Sequence, residues 1–299
     1  MRVTIVGHRG FLGKALTARL HQRGWEVDGC SSSTPGNIDP ATGLLSPQFT
    51  IRPATDAVVY LAQSPYFRQM PERADHLWNV NVVSAVQTAR LAARAGVLHF
   101  VYASTGSVYA PSFKPLAERS SLRRDRWYPL SKIHAEESLA LLRSEIAVTC
   151  VRPFGIYGPG QSGMLVSNLI ESVHGGKSVT IDRHPQEANR DGLKISLCYV
   201  DDAAQSIERL LEIADPPSTM NLAGSEAVSI RHIASGIGKL LDIEPKLQEV
   251  DRQRETDLIA DLSCMTRTVG VPPTSFATGI EMTIEAWLAS RERPLAAAA

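Results

Sequence analysis

A tyrosine and a lysine stand four residues apart at Tyr128 and Lys132, and Thr105 ends an apolar, strand-like run upstream of them. Residues four apart share one face of a helix. A lysine ammonium beside a phenol stabilises the phenolate, so we expect Lys132 to lower the pKa of Tyr128. A tyrosine of that kind can act as general acid or base, and Thr105 can hydrogen-bond to the same substrate oxygen. The three residues therefore predict a hydride-transfer site.

A glycine turn near the start of the chain predicts a dinucleotide site. The apolar run from Arg2 to Val6 is followed by GHRGFLG and then by leucines at helical spacing. Glycines between a strand and a helix allow a tight turn and a close approach of the backbone to a pyrophosphate, which the helix N-terminus then faces. The expected cofactor contacts here are Gly7, Gly10, Phe11, Leu12 and Gly13. A purely structural glycine turn is the alternative.

The end of the second predicted strand bears on the choice of cofactor. An NAD-specific protein offers an acidic residue to the adenosine ribose there, whereas this chain has Ser31, Ser32 and Ser33. Hydroxyl groups can donate to a 2′-phosphate, and Arg9 in the glycine turn can supply a planar cation. We expect NADP(H) to be preferred, with NAD(H) possible. In the alternative interpretation Arg9 is solvated and the serines form an ordinary loop.

The next elements follow from hydrophobic periodicity. Residues 34–55 are rich in proline and glycine and predict an irregular connection. A third strand at 56–62 should bring Leu61, Ala62 and Gln63 to the cofactor, because open α/β sheets bind ligands at the carboxyl ends of their strands. A long helix is expected over 71–95, with Asn81 inside it, and another over 129–144.

Composition limits the classes of partner. The chain has 299 residues with 31 basic and 31 acidic side chains, so bulk charge attracts neither nucleic acid nor anionic lipid. No apolar stretch reaches the roughly 18 residues of a membrane span, and no secretion signal precedes VTIVG. A cytoplasmic protein with a small-molecule substrate is expected. Four dispersed cysteines, and no second histidine ligand at metal spacing, predict no metal site.

An ordered set of motifs resembles the extended short-chain dehydrogenase/reductases, in the NAD(P)-dependent epimerase/dehydratase group that acts mainly on nucleotide sugars. The motifs are GHRGFLG, VVYLA, NVVSA, STGSVYA, YPLSK, RPFGIYGPGQ, YVDDAA and MNLAGSEAVSIRHIA. The resemblance implies an α/β fold with a doubly wound parallel sheet. Residues 1–155 would form the NAD(P)-binding Rossmann domain, joined by a strand and helix from about 195–214. The remainder of 156–299 would form a smaller C-terminal substrate-binding lobe.

The same resemblance assigns site residues. Thr105, Tyr128 and Lys132 take the catalytic positions, and Asn81 takes a fourth. Tyr128 and Lys132 would also contact the cofactor, together with Pro153 and Phe154. The substrate contacts implied are Thr105, Ser107, Tyr128, Gly155 and Arg254. A homodimer formed through helices 71–95 and 129–144 is expected on the same ground.

Departures from the family narrow the predicted reaction. Members that dehydrate hexoses carry an Asp-Glu pair after the catalytic Ser/Thr, where this chain has Gly106 and Ser107. Neither residue can serve as the required acid or base. We predict an NADP(H)-dependent oxidoreductase that reduces a 4-keto nucleotide sugar with Tyr128 as general acid. The first alternative is an NAD(P)-dependent nucleotide-sugar 4-epimerase, and the second is a non-catalytic NADP-binding or sensor protein.

Overall fold

A parallel sheet forms the centre of the protein. In the computed structural model, which describes residues 1–34, 36–186 and 190–292, it has six strands in the order β2-β1-β3-β4-β5-β10, and all neighbours pair in parallel. The strands are β1 (Arg2–Val6), β2 (Glu26–Cys30), β3 (Ala57–Tyr60), β4 (His99–Ala103), β5 (Ala147–Pro153) and β10 (Thr219–Leu222). The strands that follow β1 are added on opposite sides of it, β2 on one side and β3 on the other. This switch in strand order opens a crevice at the carboxyl ends of β1 and β3.

Helices cover both faces of this sheet, as the buried side chains of β3 and of all but the last residue of β4 require. Apolar side chains of α1 (Phe11–Gln22) and α6 (Val200–Leu211) form one core with the sheet. Those of α3 (Ala85–Arg94) and α4 (Trp127–Ala140) form a second core on the opposite face. The doubly wound α/β architecture predicted from the sequence is confirmed.

The long helix expected over 71–95 is shorter and interrupted. It begins as α2 (Ala74–Trp78), continues as a π-helical segment (Asn79–Ser84) and resumes as α3. Two buried phenols account for the wider turn, because Tyr60 donates to the carbonyl of Val80 at 2.6 Å and Tyr102 to that of Asn81 at 2.8 Å. Side-chain donors that enter a helix ladder commonly distort it. The π-helical segment lies directly beside α4.

A smaller lobe follows the sheet in sequence. Its core packs the helices α5, α7 and α9 against short paired strands. Its helices are α5 (Leu165–His174), α7 (Ile230–Leu241) and α9 (Phe276–Glu292), and α8 (Ser263–Val269) contacts α6 and β10. Its strand pairs are β6 (Ile156–Tyr157) with β9 (Cys198–Tyr199), β7 (Val179–Arg183) with β12 (Leu247–Gln253), and β8 (Lys194–Ser196) with β11 (Ala227–Ser229).

The strand expected near residue 195 does not join the central sheet. It is divided into β8 and β9, which pair with lobe strands, and the carbonyl of the intervening Leu197 accepts from the Gly224 N–H at 3.0 Å. The sixth place in the sheet is taken by β10. Helix α6, in contrast, does pack on the sheet beside α1. The connection at 34–55 is irregular as predicted, and its described residues form an isolated bridge between Ile38 and Leu45.

Candidate active site

The glycine turn brings three parts of the backbone very close together. Gly7 has φ +96°, and a Cβ atom there would lie 2.7 Å from the amide nitrogen of Ala62. A Cβ atom on Gly13 would collide with the carbonyl of Gly7. Gly10 precedes α1 without a side-chain cap, so the first N–H groups of that helix point toward the crevice unblocked by any capping side chain. This arrangement suits a phosphate group.

A cavity of about 1150 Å³ extends from this turn along the ends of β1, β2 and β3 and is bordered on the lobe side by residues 159–162 and Met164. Nine of the predicted cofactor residues line it: Gly7, Arg9, Gly10, Phe11, Ser31, Ser32, Leu61, Ala62 and Gln63. Leu12 and Gly13 lie behind the turn and pack into the fold. Sequence reasoning missed Lys14, Tyr66 and His76, which also line the cavity; Lys14 could have been inferred from its place in the first turn of α1.

Arg9 and the serines after β2 meet at one end of this cavity. The guanidinium of Arg9 donates to the hydroxyl of Ser33 at 2.8 Å, and the hydroxyls of Ser31 and Ser33 are 2.9 Å apart. One cation and several hydroxyl groups are therefore collected where a dinucleotide would place its adenosine ribose.

The catalytic candidates lie beside Gln63, although Thr105, Tyr128 and Lys132 are not themselves among the residues that line the cavity. Tyr128 and Lys132 share one face of α4, and the hydroxyl of Tyr128 donates to Oε1 of Gln63 at 2.9 Å and is hydrogen-bonded to Thr105. The side chain of Thr105 accepts from the Ser107 N–H at 3.2 Å and thereby fixes the turn after β4. Gln63 links this group to the cavity, since it lines the cavity wall.

Electrostatics at Tyr128 differ from the expectation. Burial raises the pKa of Tyr128 to about 12, and the hydrogen bond with Thr105 lowers the pKa only in part. Lys132 does not depress it, because its ammonium donates to the carbonyl of Ala103 at 2.7 Å and lies 4.8 Å from the ring centroid of Tyr102. Burial also lowers the pKa of Lys132 to about 7, against the opposing attraction of Glu136. The expected lowering of the Tyr128 pKa by Lys132 is therefore not found.

Asn81 supports the site from behind. It is fully buried in the π-helical segment, where its Nδ2 donates to the hydroxyl of Ser131 at 3.0 Å and its Oδ1 accepts from the Ser64 N–H at 3.4 Å. Ser131 directly precedes Lys132, so Asn81 joins α4 to the segment that carries Gln63. Departures from α-helical geometry of this kind are frequent near functional sites.

Gly106 is held against an aromatic ring. A Cβ atom at this position would lie 2.9 Å from the ring of Phe154. Phe154 itself is buried and packs with Tyr109 rather than lining the cavity. Its neighbour Pro153 ends β5 and does not line the cavity either. An acidic side chain beside Thr105 is therefore excluded unless Phe154 moves.

Gly106→Ala is expected to lower the free energy of unfolding by about 1–3 kcal/mol, the usual cost of overpacking a core. The urea midpoint of the variant should fall without a change in the slope of the transition. Gly96→Ala is not a fair comparison because Gly96 has φ +75°; Gly236, where a Cβ atom would first meet a ring at 3.7 Å, provides the control. Equal midpoints for Gly106→Ala and wild type would contradict the packing argument.

The remaining predicted substrate residues lie in or beside the lobe. Gly155 has φ +131°, and a Cβ atom there would lie 3.0 Å from the side chains of Ile195 and Leu197. The Nε atom of Arg254 is 2.9 Å from Oδ1 of Asp257, while its Nη1 is buried with no hydrogen-bond partner among the described residues. Its guanidinium carbon lies 5.5 Å from the ring centroid of Phe113. Arg254 therefore retains an unused donor that suits an anionic group.

Neither a metal cluster nor a membrane span is found in the described part of the chain. Among the described residues, no three His, Cys, Asp or Glu side chains gather in a way that could hold a metal ion. Within residues 1–34, 36–186 and 190–292, no helix combines the length and the apolar character needed to cross a bilayer.

The chain matches one family model and is similar to named sugar-nucleotide epimerases. The model of the family described as "NAD dependent epimerase/dehydratase family" matches residues 3–223. A probable UDP-glucuronate 4-epimerase of Rhizobium meliloti (strain 1021) is 26% identical over 257 residues, which cover 76% of this chain and 72% of that protein. The UDP-glucose 4-epimerase of Mycolicibacterium smegmatis is 26% identical over 314 residues, which cover 95% and 98%.

Solved structures share the fold. The UDP-glucose 4-epimerase of Thermus thermophilus, solved as a complex with NAD, superposes with a TM-score of 0.76 at 21% identity. The superposition covers 96% of this chain and 99% of that chain. The likeness extends through both the sheet and the smaller lobe.

Proposed function

The chain belongs to the NAD-dependent epimerase/dehydratase family, and from that premise we propose that it is a nucleotide-sugar 4-epimerase. It would oxidise carbon 4 of the sugar and reduce it again from the other face. The proposal rests on the Tyr128 hydroxyl, which is hydrogen-bonded to Thr105 and donates to Gln63, a residue that lines a cavity large enough for a dinucleotide. Relatives that are named 4-epimerases support reaction at carbon 4 and inversion of its configuration. They favour epimerisation over the simple reduction expected from the sequence.

The residues present fit a nicotinamide dinucleotide. Gly7 and Gly13 let the turn pack tightly, since a Cβ atom at either would clash with the backbone of Ala62 or of Gly7 itself, and the uncapped start of α1 offers its N–H groups to a pyrophosphate. When bound, such a cofactor supplies the acceptor and donor of hydride. Gly7, Gly10 and Phe11 would hold its phosphates, with the adenosine end toward Ser31 and the nicotinamide end toward Gln63.

The protein's own groups would handle the proton and the orientation of the sugar. Tyr128 would take the proton of the C4 hydroxyl during oxidation and return it during reduction. Thr105 would hydrogen-bond to the same oxygen. Lys132 would hold a ribose hydroxyl of the cofactor, and Arg254 would use its free Nη1 for the diphosphate of the substrate. No step requires an acid or base at Gly106, which is consistent with oxidation and reduction at one carbon.

A second candidate is the NADP(H)-dependent reduction of a 4-keto nucleotide sugar. The observation in its favour is the Arg9 guanidinium on the Ser33 hydroxyl, without an acidic side chain among residues 31–33. A 2′-phosphate would replace or extend that hydrogen bond. Net consumption of NADPH with a 4-keto sugar nucleotide distinguishes this reaction from epimerisation, which leaves the cofactor unchanged.

Arg9→Ala is expected to weaken NADP(H) binding by roughly 10- to 100-fold and to leave NAD(H) binding nearly unchanged, because a hydrogen-bonded charge contributes about 1.5–3 kcal/mol. Titration of protein fluorescence with each dinucleotide measures the effect. Arg52→Ala is the matched control, since Arg52 is exposed and pairs with Asp28 outside the cavity. Equal losses for the two dinucleotides would contradict the proposed preference for NADP(H).

The direct test of the proposed function is a panel of UDP-, dTDP- and GDP-linked hexoses incubated with the protein and either dinucleotide. We expect the 4-epimer of one UDP-linked hexose or hexuronate to form. Absence of turnover across the panel, including 4-keto substrates with NADPH, would refute both candidates.

The homodimer expected from family resemblance stays a proposal. Trp127, at the start of α4, is 47% exposed and packs edge-on against Trp78 at 6.3 Å between ring centroids. Both aromatic side chains lie on the helices through which two copies would pair.

A further inference from the structure

Gln63 occupies an unusual position between the cavity and the reacting tyrosine. It lies three residues beyond β3 and lines the cavity wall. Its carboxamide oxygen accepts from the hydroxyl of Tyr128 at 2.9 Å. A substrate oxygen that hydrogen-bonds to the Tyr128 hydroxyl must therefore compete with this amide or bond alongside it.

The backbone on both sides of Gln63 is held in place. Ala62 packs on Gly7 too closely to admit a Cβ atom there. The Ser64 N–H donates to Asn81, and the Ser64 hydroxyl lies 2.9 Å from Nδ1 of His76. Farther along, the ring of Phe67 lies 5.4 Å from that of Tyr128. The carboxamide thus reaches the phenol from a fixed support rather than from a free surface loop.

Tyr128 needs such a partner. Proton abstraction requires the phenolate, yet burial raises the pKa of Tyr128. The ammonium of Lys132 is directed to the carbonyl of Ala103. Two further ionisable groups lie near this phenol among the described residues: Tyr102 on β4, itself a phenol, and Arg68, whose guanidinium lies over the Phe67 ring that packs on Tyr128. A donor aimed at the phenol oxygen would favour the phenolate.

A carboxamide carries both an acceptor and two N–H donors. We propose that Gln63 is a positioning residue for proton transfer at Tyr128: its oxygen accepts from the neutral phenol, and after a half-turn of the amide its N–H donates to the phenolate. The proton itself passes between the C4 hydroxyl of the substrate and the Tyr128 oxygen. This inference rests on the proposed function and adds a residue to its proton-transfer step.

The pH dependence of kcat/KM tests the inference. Hydrogen bonds to charged groups are stronger than those to neutral ones, so loss of Gln63 should disfavour the phenolate. Gln63→Leu is expected to move the acidic limb of the profile to higher pH by about one unit. Gln63→Glu, similar in size but anionic, should move it farther in the same direction. Gln69→Leu is the control, because Gln69 lies on the same segment outside the cavity lining and should leave the profile unchanged.

A second readout needs no turnover. In full-length protein labelled with ¹³C at the tyrosine ζ carbons, the Tyr128 resonance is assigned by its loss in Tyr128→Phe. Gln63→Leu should shift this resonance at neutral pH, and Gln69→Leu should not. If the wild-type protein turned over no sugar nucleotide, the proposed function would be refuted. The Tyr128 resonance would still show whether Gln63 acts on the phenol. An unmoved resonance, or an unmoved pH profile in both Gln63 variants, would overturn the inference.

Discussion

Tyr128→Phe is expected to reduce kcat by roughly 10²- to 10⁴-fold, the usual contribution of a positioned acid or base. The substitution removes the hydroxyl that meets Thr105 and Gln63 but keeps the ring that packs on Phe67. Dinucleotide affinity and the unfolding midpoint should therefore remain close to those of wild type.

The measurement is steady-state turnover of the identified sugar nucleotide, with dinucleotide binding followed separately by fluorescence. A variant that binds the dinucleotide and keeps more than a tenth of its activity would remove Tyr128 from the proton-transfer step. Loss of dinucleotide binding would instead assign the residue to the cofactor site alone.

Arg152→Met is expected to have the largest effect on stability, about 3–5 kcal/mol, because it leaves a buried carboxylate without its partner. Arg152 on β5 and Glu136 on α4 form a bidentate pair at 2.5 and 3.0 Å, with side chains only 5% and 10% exposed. Arg152 also donates to the hydroxyl of Tyr109 at 3.0 Å. The pair therefore fixes the helix that carries Tyr128 and Lys132 to the sheet.

Urea unfolding measures this loss, and the chain offers a matched control. Glu137 follows Glu136 on α4 and pairs with Arg124 at 2.7 Å. The side chains of Arg124 and Glu137 are both more than half exposed. Arg124→Met should therefore cost less than about 1 kcal/mol. If Arg152→Met cost no more than Arg124→Met, the buried pair would not anchor α4. Replacing both Arg152 and Glu136 by apolar residues should recover most of the stability.

Local patterns were sufficient to predict much of the fold and part of the site. The glycine turn between β1 and α1 is a short-range motif with one backbone solution, and nine of the residues assigned to the cofactor line one cavity. The spacing of Tyr128 and Lys132 likewise predicts a shared helix face. Alternating or fully apolar runs located the strands because each must bury its side chains.

Features that depend on tertiary contacts were not predictable. Gln63 and Tyr128 are 65 positions apart, and no local signal joins their side chains. The π-helical segment arises from the phenols of Tyr60 and Tyr102 on neighbouring strands. The pKa values of Tyr128 and Lys132 depend on burial, which spacing on a helix does not reveal.

The measurement that tests the central claim most directly follows a UDP-linked hexose deuterated at C4 in the presence of the protein and its dinucleotide. Reversible hydride transfer at C4 predicts a 4-epimer that retains the deuterium at that carbon and forms more slowly than from the unlabelled sugar. An epimer whose deuterium has exchanged with solvent, or a sugar left unchanged with either dinucleotide, would contradict the proposed reaction.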